Sequence, residues 1–315
     1  LSSSTTGSTA ASEDSSTLLE GTVQASTLNI VSTGSITNTA NSAVNIAGNA
    51  SFRGTSLNLG FASNDSVTLG SFSSNTTGAS ELFENDGTLI SGTVQAAELK
   101  IVSISAISNT ANSTVNVTNN ASFNGTSLNL GFANNDNIQL GSFSSTTTGA
   151  AALSENDSTL IEGTVQAASL NIVSAGSISN AANAGINVTN NASFNGASLN
   201  LGFANNDNVT LGSFSSTTTG ATSLSENDST LIEGTVQAAS LNIVSSGSIT
   251  NAANSSVSIT NNASFSGTSL NLGFANNDNV QLGSFSSNTT GATALSENDG
   301  TLIEGTVQAA SLNIV

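Results

Sequence analysis

The chain has 315 residues, with two basic residues against twenty acidic ones and a formal net charge of −18. It contains no Cys, His, Met, Trp, Tyr or Pro, so the usual general base, thiol nucleophile and soft metal ligands are missing. So much negative charge argues against nucleic acid and anionic membrane surfaces as partners, because both need cationic contacts.

The hydrophobic fraction is 37% and the charged fraction 7%, the reverse of a disordered chain. Val, Ile, Leu and Phe come in short bursts between Ser, Thr, Asn, Ala and Gly, which is strand-and-turn composition. No apolar run is long enough for a membrane-spanning helix. The opening Leu1-Ser2-Ser3 carries neither Met nor a basic-then-apolar leader. The chain is therefore expected to be a window of something longer.

Along the chain, Gly-Thr-Val-Gln begins at Gly21, Gly92, Gly163, Gly234 and Gly305, a constant step in sequence. The chain divides into a partial repeat 1–20, full repeats 21–91, 92–162, 163–233 and 234–304, and a partial repeat 305–315. Repeats 163–233 and 234–304 differ at 13 of 71 positions, and where apolar residues change they stay apolar, as at Ile186/Val257 and Val188/Ile259. A fixed period with this tolerance is the mark of a solenoid.

Within 163–233 the first strand signal surrounds Val165. Leu170-Asn171-Ile172, Ile186-Asn187-Val188, Leu199-Asn200-Leu201 and Val209-Thr210-Leu211 then alternate apolar and polar residues. Period two puts one set inside and the other outside. Val165, Ile178, Val188, Phe194, Leu201, Leu211 and Leu224 are the predicted core, with Asn171, Asn187 and Asn200 outward. Phe203 and Phe214 are expected to join Phe194 inside. Asn-Ala-Ala-Asn, Asn-Asn-Asp-Asn and Ser-Glu-Asn-Asp are turn signals.

Dividing the repeat into 163–185, 186–208 and 209–233 puts Val165, Val188 and Leu211 in one place, and Ile178, Leu201 and Leu224 in another. The expected fold is all-β: a parallel β-helix (β-solenoid) in which each repeat makes three rungs of about 23–25 residues, a natural solenoid period. At ~4.8 Å per rung, about thirteen rungs would measure ~60 Å. Asn residues at turns are candidates for stacked amide ladders.

The strings Ser169-Leu170-Asn171-Ile172-Val173, Gly176-Ser177-Ile178-Ser179-Asn180 and Ile186-Asn187-Val188-Thr189 resemble filamentous-haemagglutinin-type exoproteins, giant bacterial surface or secreted adhesins. That resemblance implies a right-handed parallel β-helix shaft at the cell surface or outside the cell. The Asn-rich short rungs are also similar to curli-like subunits, although the Gln and Gly positions typical of curli repeats are missing.

Acidic residues recur as Asp207, Glu226, Asp228 and Glu233, then as Asp278, Glu297, Asp299 and Glu304. Glu226, Asp228, Glu297 and Asp299 are the candidate ligands for a weak calcium site, since hard cations want several oxygens. The competing reading is a solvated loop that keeps the protein soluble. Paired carboxylates alone could serve a glycosidase. Here, however, the acids repeat identically, and Arg53 and Lys100 stand where other repeats have Asn or Ser. No His is present to activate a Ser or Thr. An ice-binding array needs Thr on every rung, whereas Thr217-Thr218-Thr219 recurs only once per repeat. Asn116, Asn156, Asn191, Asn227 and Asn262 open Asn-x-Ser/Thr sequons that could carry glycans.

These observations lead to an expected function: the non-catalytic, cofactor-free shaft of an extracellular fibre or cell-surface adhesin. Its expected partners are further covalent repeats or copies of itself, end to end or side by side. The alternative is a multivalent calcium- or glycan-binding repeat module.

Overall fold

The computed structural model describes all of residues 1–315. It contains strands and turns only, with no helix long and apolar enough to cross a membrane. Contacts divide the chain into two units, Leu1–Asn156 and Asp157–Val315. Each unit is a parallel β-solenoid, and together they comprise about 15 turns.

The unit Asp157–Val315 shows how the repeat is wound. Strands Ser169–Ser174, Ser177–Asn180, Gly185–Gly196, Ser198–Leu201, Asn208–Thr218, Ala221–Glu226 and Thr230–Ala238 follow one another. Three of them turn a corner. Residues 185–188 pair with 164–167, whereas 192–195 pair with 170–173, so Gly185–Gly196 lies on two faces. Asn208–Thr218 bends at Gly212 in the same way. Thr230–Ala238 bends at Gly234, where φ is +89°.

Counting the bent strands as two, one repeat holds ten straight segments, and all but 208–211 pair with the third one further on, 213–218 also meeting 230–232 through Phe214 and Ile232. Leu170 stands opposite Ala192, Ile178 opposite Leu199, Leu201 opposite Leu224, and Leu224 opposite Ile243. Three segments make a turn, so each turn has three faces. Ten segments therefore make three and one-third turns of about 21 residues each, in keeping with the strand spacing of a parallel sheet. Within a unit, equivalent residues of consecutive repeats lie one third of a turn apart around the axis.

This corrects the division of each repeat into three whole rungs. Val188 does stand opposite Leu211, and Leu201 opposite Leu224. Val165, however, faces Ile186, and Ile178 faces Leu199. The steps are unequal because the corners differ in length: Phe214 reaches its partner Ile232 by a shorter path than Val188 takes to Leu211.

The interior is narrow and closed. Val165, Ile178, Phe194, Leu201 and Leu224 are fully buried, and Val188 and Leu211 nearly so. Asn187 and Asn200 are exposed, and Asn171 is half-buried. Phe194 and Phe214 meet with ring centroids 6.2 Å apart, tilted by 39°. The same pair forms at Phe52–Phe72, Phe123–Phe143 and Phe265–Phe285. Phe203 departs from expectation. It is 44% exposed, as are its equivalents Phe132 and Phe274 to a similar degree. It follows Gly202, whose φ of +79° turns the chain out of the strand into the corner 202–207. A Cβ at Gly202 would collide with the Ser225 carbonyl.

Candidate functional site

The segment most distinctive in sequence, Ser-Glu-Asn-Asp, sits where the pairing rule has its one exception. Segment 208–211 pairs backward with 185–188, but no strand pairs with it from the following turn. Side chains take over. The Val209 N–H donates to Asn227 Oδ1 at 2.7 Å, and the Leu211 N–H donates to Glu226 Oε1 at 2.7 Å. Thr230 Oγ1 donates to Glu226 Oε2 at 2.7 Å. The Asn227 N–H donates to the Val209 carbonyl at 2.8 Å. One Glu and one Asn thus imitate the edge of a missing strand.

The arrangement recurs. Val67 and Leu69 donate to Asn85 and Glu84, Ile138 and Leu140 to Asn156 and Glu155, and Val280 and Leu282 to Asn298 and Glu297. Thr88 and Thr301 close the carboxylates of Glu84 and Glu297. Glu226 is buried, whereas Asp228 is exposed. Burial pushes the Glu226 carboxyl up to about 7 from an ordinary 4.5. The bonds from Thr230 and Leu211 pull the other way, and the nearby Asp228 charge adds to the rise. Glu84 is likewise raised to about 7, chiefly by burial.

This geometry revises the loop expected from sequence. The Glu faces inward. Both oxygens of Glu226 are engaged within the protein, while Asp228 is exposed but close enough for its side chain to act on Glu226. The same holds for Glu297, whose two oxygens receive Leu282 and Thr301, while Asp299 is exposed. No group of three or more acidic residues comes together to hold a metal ion.

A second polar corner was not singled out from the sequence. Asn180 Nδ2 donates to Asp207 Oδ2 at 2.7 Å, and Asn180 Oδ1 accepts from the Gly202 N–H at 2.9 Å. Asp207 also accepts from the Ala204 N–H at 2.7 Å and the Ala184 N–H at 3.3 Å. Asn183 and Asn206 occupy the left-handed region, with φ of 64° and 59°. Asn206 Nδ2 donates to Asn183 Oδ1 at 3.2 Å. The amide ladder expected at turns therefore exists here as a two-step stack, repeated at Asn112–Asn135 and Asn254–Asn277.

The sequon residues Asn116, Asn156, Asn191, Asn227 and Asn262 are all exposed. Asn156 and Asn227 spend their Oδ1 on backbone N–H groups, whereas Asn191 and Asn262 accept from the Ser213 and Ser284 hydroxyls. Lys100 lies over the Phe61 ring, its Nζ 4.8 Å from the centroid. A groove of about 310 Å³ is lined by Asn195, Gly196, Thr217, Gln237, Ala238 and Thr260 among others. Its counterpart in the other unit, about 170 Å³, includes Thr5, Gln24 and Ala47. Both grooves are lined without a charged side chain.

Compared with known protein families, curated proteins and solved structures, the chain matches none.

Proposed function

We propose that the chain is a non-catalytic, cofactor-free structural shaft, part of an extracellular fibre or a cell-surface adhesin stalk. The observation that carries this reading is the continuity of third-on pairing across the repeat boundary. Leu224 meets Ile243 and Thr230 meets Ile249 in the same parallel register that holds within a repeat. Where a strand partner is missing, the Glu–Asn corner seals the gap. A fold so built adds length with each repeat and needs no terminal contact to stay closed. Repeated strands of this kind suit a spacer that carries load along the strand-stacking direction. The surface location rests on the likeness of the strand-and-turn strings to exoprotein shafts, and the acidic character suits a soluble exterior. The partners are more repeats or further copies of the chain.

Small-angle scattering tests the spacer reading. Deleting 163–233 should shorten the unit Asp157–Val315 by about 16 Å along its strand-stacking direction, three and one-third turns at ~4.8 Å, and leave its cross-section unchanged. An unchanged length would refute it. Protease treatment of intact source cells tests the location, since a surface shaft is cleaved while the cells stay whole.

A second reading, a repeat module binding neutral glycans, is favoured by the uncharged hydroxyl- and amide-lined groove found at equivalent positions in both units. Glycan-array binding that is lost with Gln237→Ala would shift weight to it. A calcium-dependent rise in melting temperature would favour cation binding at the exposed corner acids.

A further inference from the structure

We propose that the Glu–Asn corner is a proton-operated clamp. Uptake of a proton by the buried carboxyl tightens the joint between segment 208–211 and the turn that follows, and loss of the proton loosens it. The geometry carries the proposal. The Leu211 N–H has no backbone acceptor from the next turn and depends on Glu226 Oε1, while Oε2 receives the Thr230 hydroxyl. A carboxylate can only accept, so in the charged form both bonds point at a buried anion. In the neutral form Oε1 still accepts from Leu211, and the new Oε2–H donates to Thr230 Oγ1, whose own proton turns away. Both contacts survive, and the cost of burying a charge disappears.

The surrounding charges reinforce the effect. Asp228, two residues beyond Glu226, is of like sign. The facing segments 198–201, 208–211 and 240–245 carry no charged residue, and Glu233 lies beyond the far end of 230–232. Around Glu84 the like charge is Asp86. Strand Glu98–Ser103 sets Ser103 opposite Glu84, while Glu98 and Lys100 stand opposite Ala79 and Glu81.

The sign follows from linkage. The folded state holds this proton more tightly than the unfolded chain does. The proton's contribution is therefore complete below about pH 4.5 and is lost as pH rises through about 7. The Glu84 and Glu226 joints are firmest in mild acid. This holds whether or not the chain serves as a shaft.

The test is amide hydrogen exchange in the full chain from pH 5 to 8.5, corrected for intrinsic exchange. Protection of Leu69 and Leu211 should fall about tenfold or more over that range, because each pH unit of linkage is worth a factor of ten. In Glu226→Gln, whose amide reproduces the neutral acid, Leu211 protection should become flat with pH while Leu69 in the same molecule still varies. Flat protection at both residues in the wild type would overturn the proposal, as would an unchanged Leu211 profile in the variant. Should the variant fail to fold, carbon-13 titration of the wild-type Glu side chains decides. Two carboxyls with midpoints near 7 support the clamp, and midpoints all near 4.5 overturn it.

Discussion

Replacing Phe194 by Ala should be among the costliest single changes in the unit Asp157–Val315. The side chain is fully buried, and its ring lies 6.2 Å from that of Phe214. Its backbone is held between Ile172 on one turn and Ser216 on the next. Losing the ring forfeits about 2–3 kcal/mol of apolar burial and about 0.5–1.5 kcal/mol from the aromatic pair. The cavity cannot close easily, because hydrogen-bonded strands on both sides fix the turn spacing. The expected total is about 3–5 kcal/mol. Phe203→Ala is the matched control: same residue type, same repeat, but 44% exposed. It should cost under about 0.5 kcal/mol. Urea unfolding followed by circular dichroism measures both, with equal slopes confirming that stability alone has changed. If the two variants shift the midpoint alike, the account of the core is wrong.

Two further changes test the polar interior and the corners. Ala151 stands where other repeats have Ser80, Thr222 or Thr293, and Thr293 bonds Thr289 at 2.9 Å although Ser287 Oγ beside it is buried without a partner, as Ser145 Oγ is beside Ala151. In the equivalent place Thr222 shares hydrogen bonds with Thr218 at 2.9 Å and Ser216 at 3.4 Å. Ala151→Thr should therefore stabilise by about 0.5–1.5 kcal/mol, and a fall in melting temperature would count against this account. Asn206, with φ of 59°, donates to Asn183. Asn206→Ala should cost about 1–2 kcal/mol, because Ala lacks the side-chain amide that lets Asn settle in the left-handed region and that bonds Asn183, and Asn206→Gly, which has no Cβ to clash there, should cost less on the same thermal-melting assay.

The strands were legible in the sequence because alternation is local: Leu199-Asn200-Leu201 states its own facing. The number of turns per repeat was not legible, because it depends on corner lengths, and neither the bends at Gly212 and Gly234 nor the loop 202–207 announces how far it carries the chain. Counting Phe as core worked for Phe194 and Phe214, which lie within strands. It failed for Phe203, which follows a glycine in the left-handed region. A signal for the clamp was present. Glu226 is two residues after Leu224, so period two places it inward, and Thr230 recurs four residues later in every full repeat. The Asn180–Asp207 bond joins residues 27 apart and becomes visible only once the turns are stacked.

The winding itself can be measured, since the chain contains no Cys and spin labels can be placed at will. Starting from Asn200, successive partners along one face are Ser223, Asn242, Ser264 and Ser286. Asn271, the equivalent of Asn200 one repeat later, falls between Ser264 and Ser286 in sequence and pairs instead with Thr250. It therefore lies on the neighbouring face. Labels at Asn200 and Ser264 should be three turns apart on one face, about 14 Å between backbones. Labels at Asn200 and Asn271 add a step around the corner to nearly the same rise, so their separation should exceed about 20 Å, taking strand spacing and rise per residue as the scale. Had each repeat made three whole turns, the order would reverse: Asn271 would sit directly in line with Asn200, and Ser264 would lie off to one side. Dipolar coupling between the labels distinguishes the two outcomes. A longer distance for the 200/264 pair than for the 200/271 pair would refute the winding of three and one-third turns and, with it, the one-third rotation between neighbouring repeats in that unit.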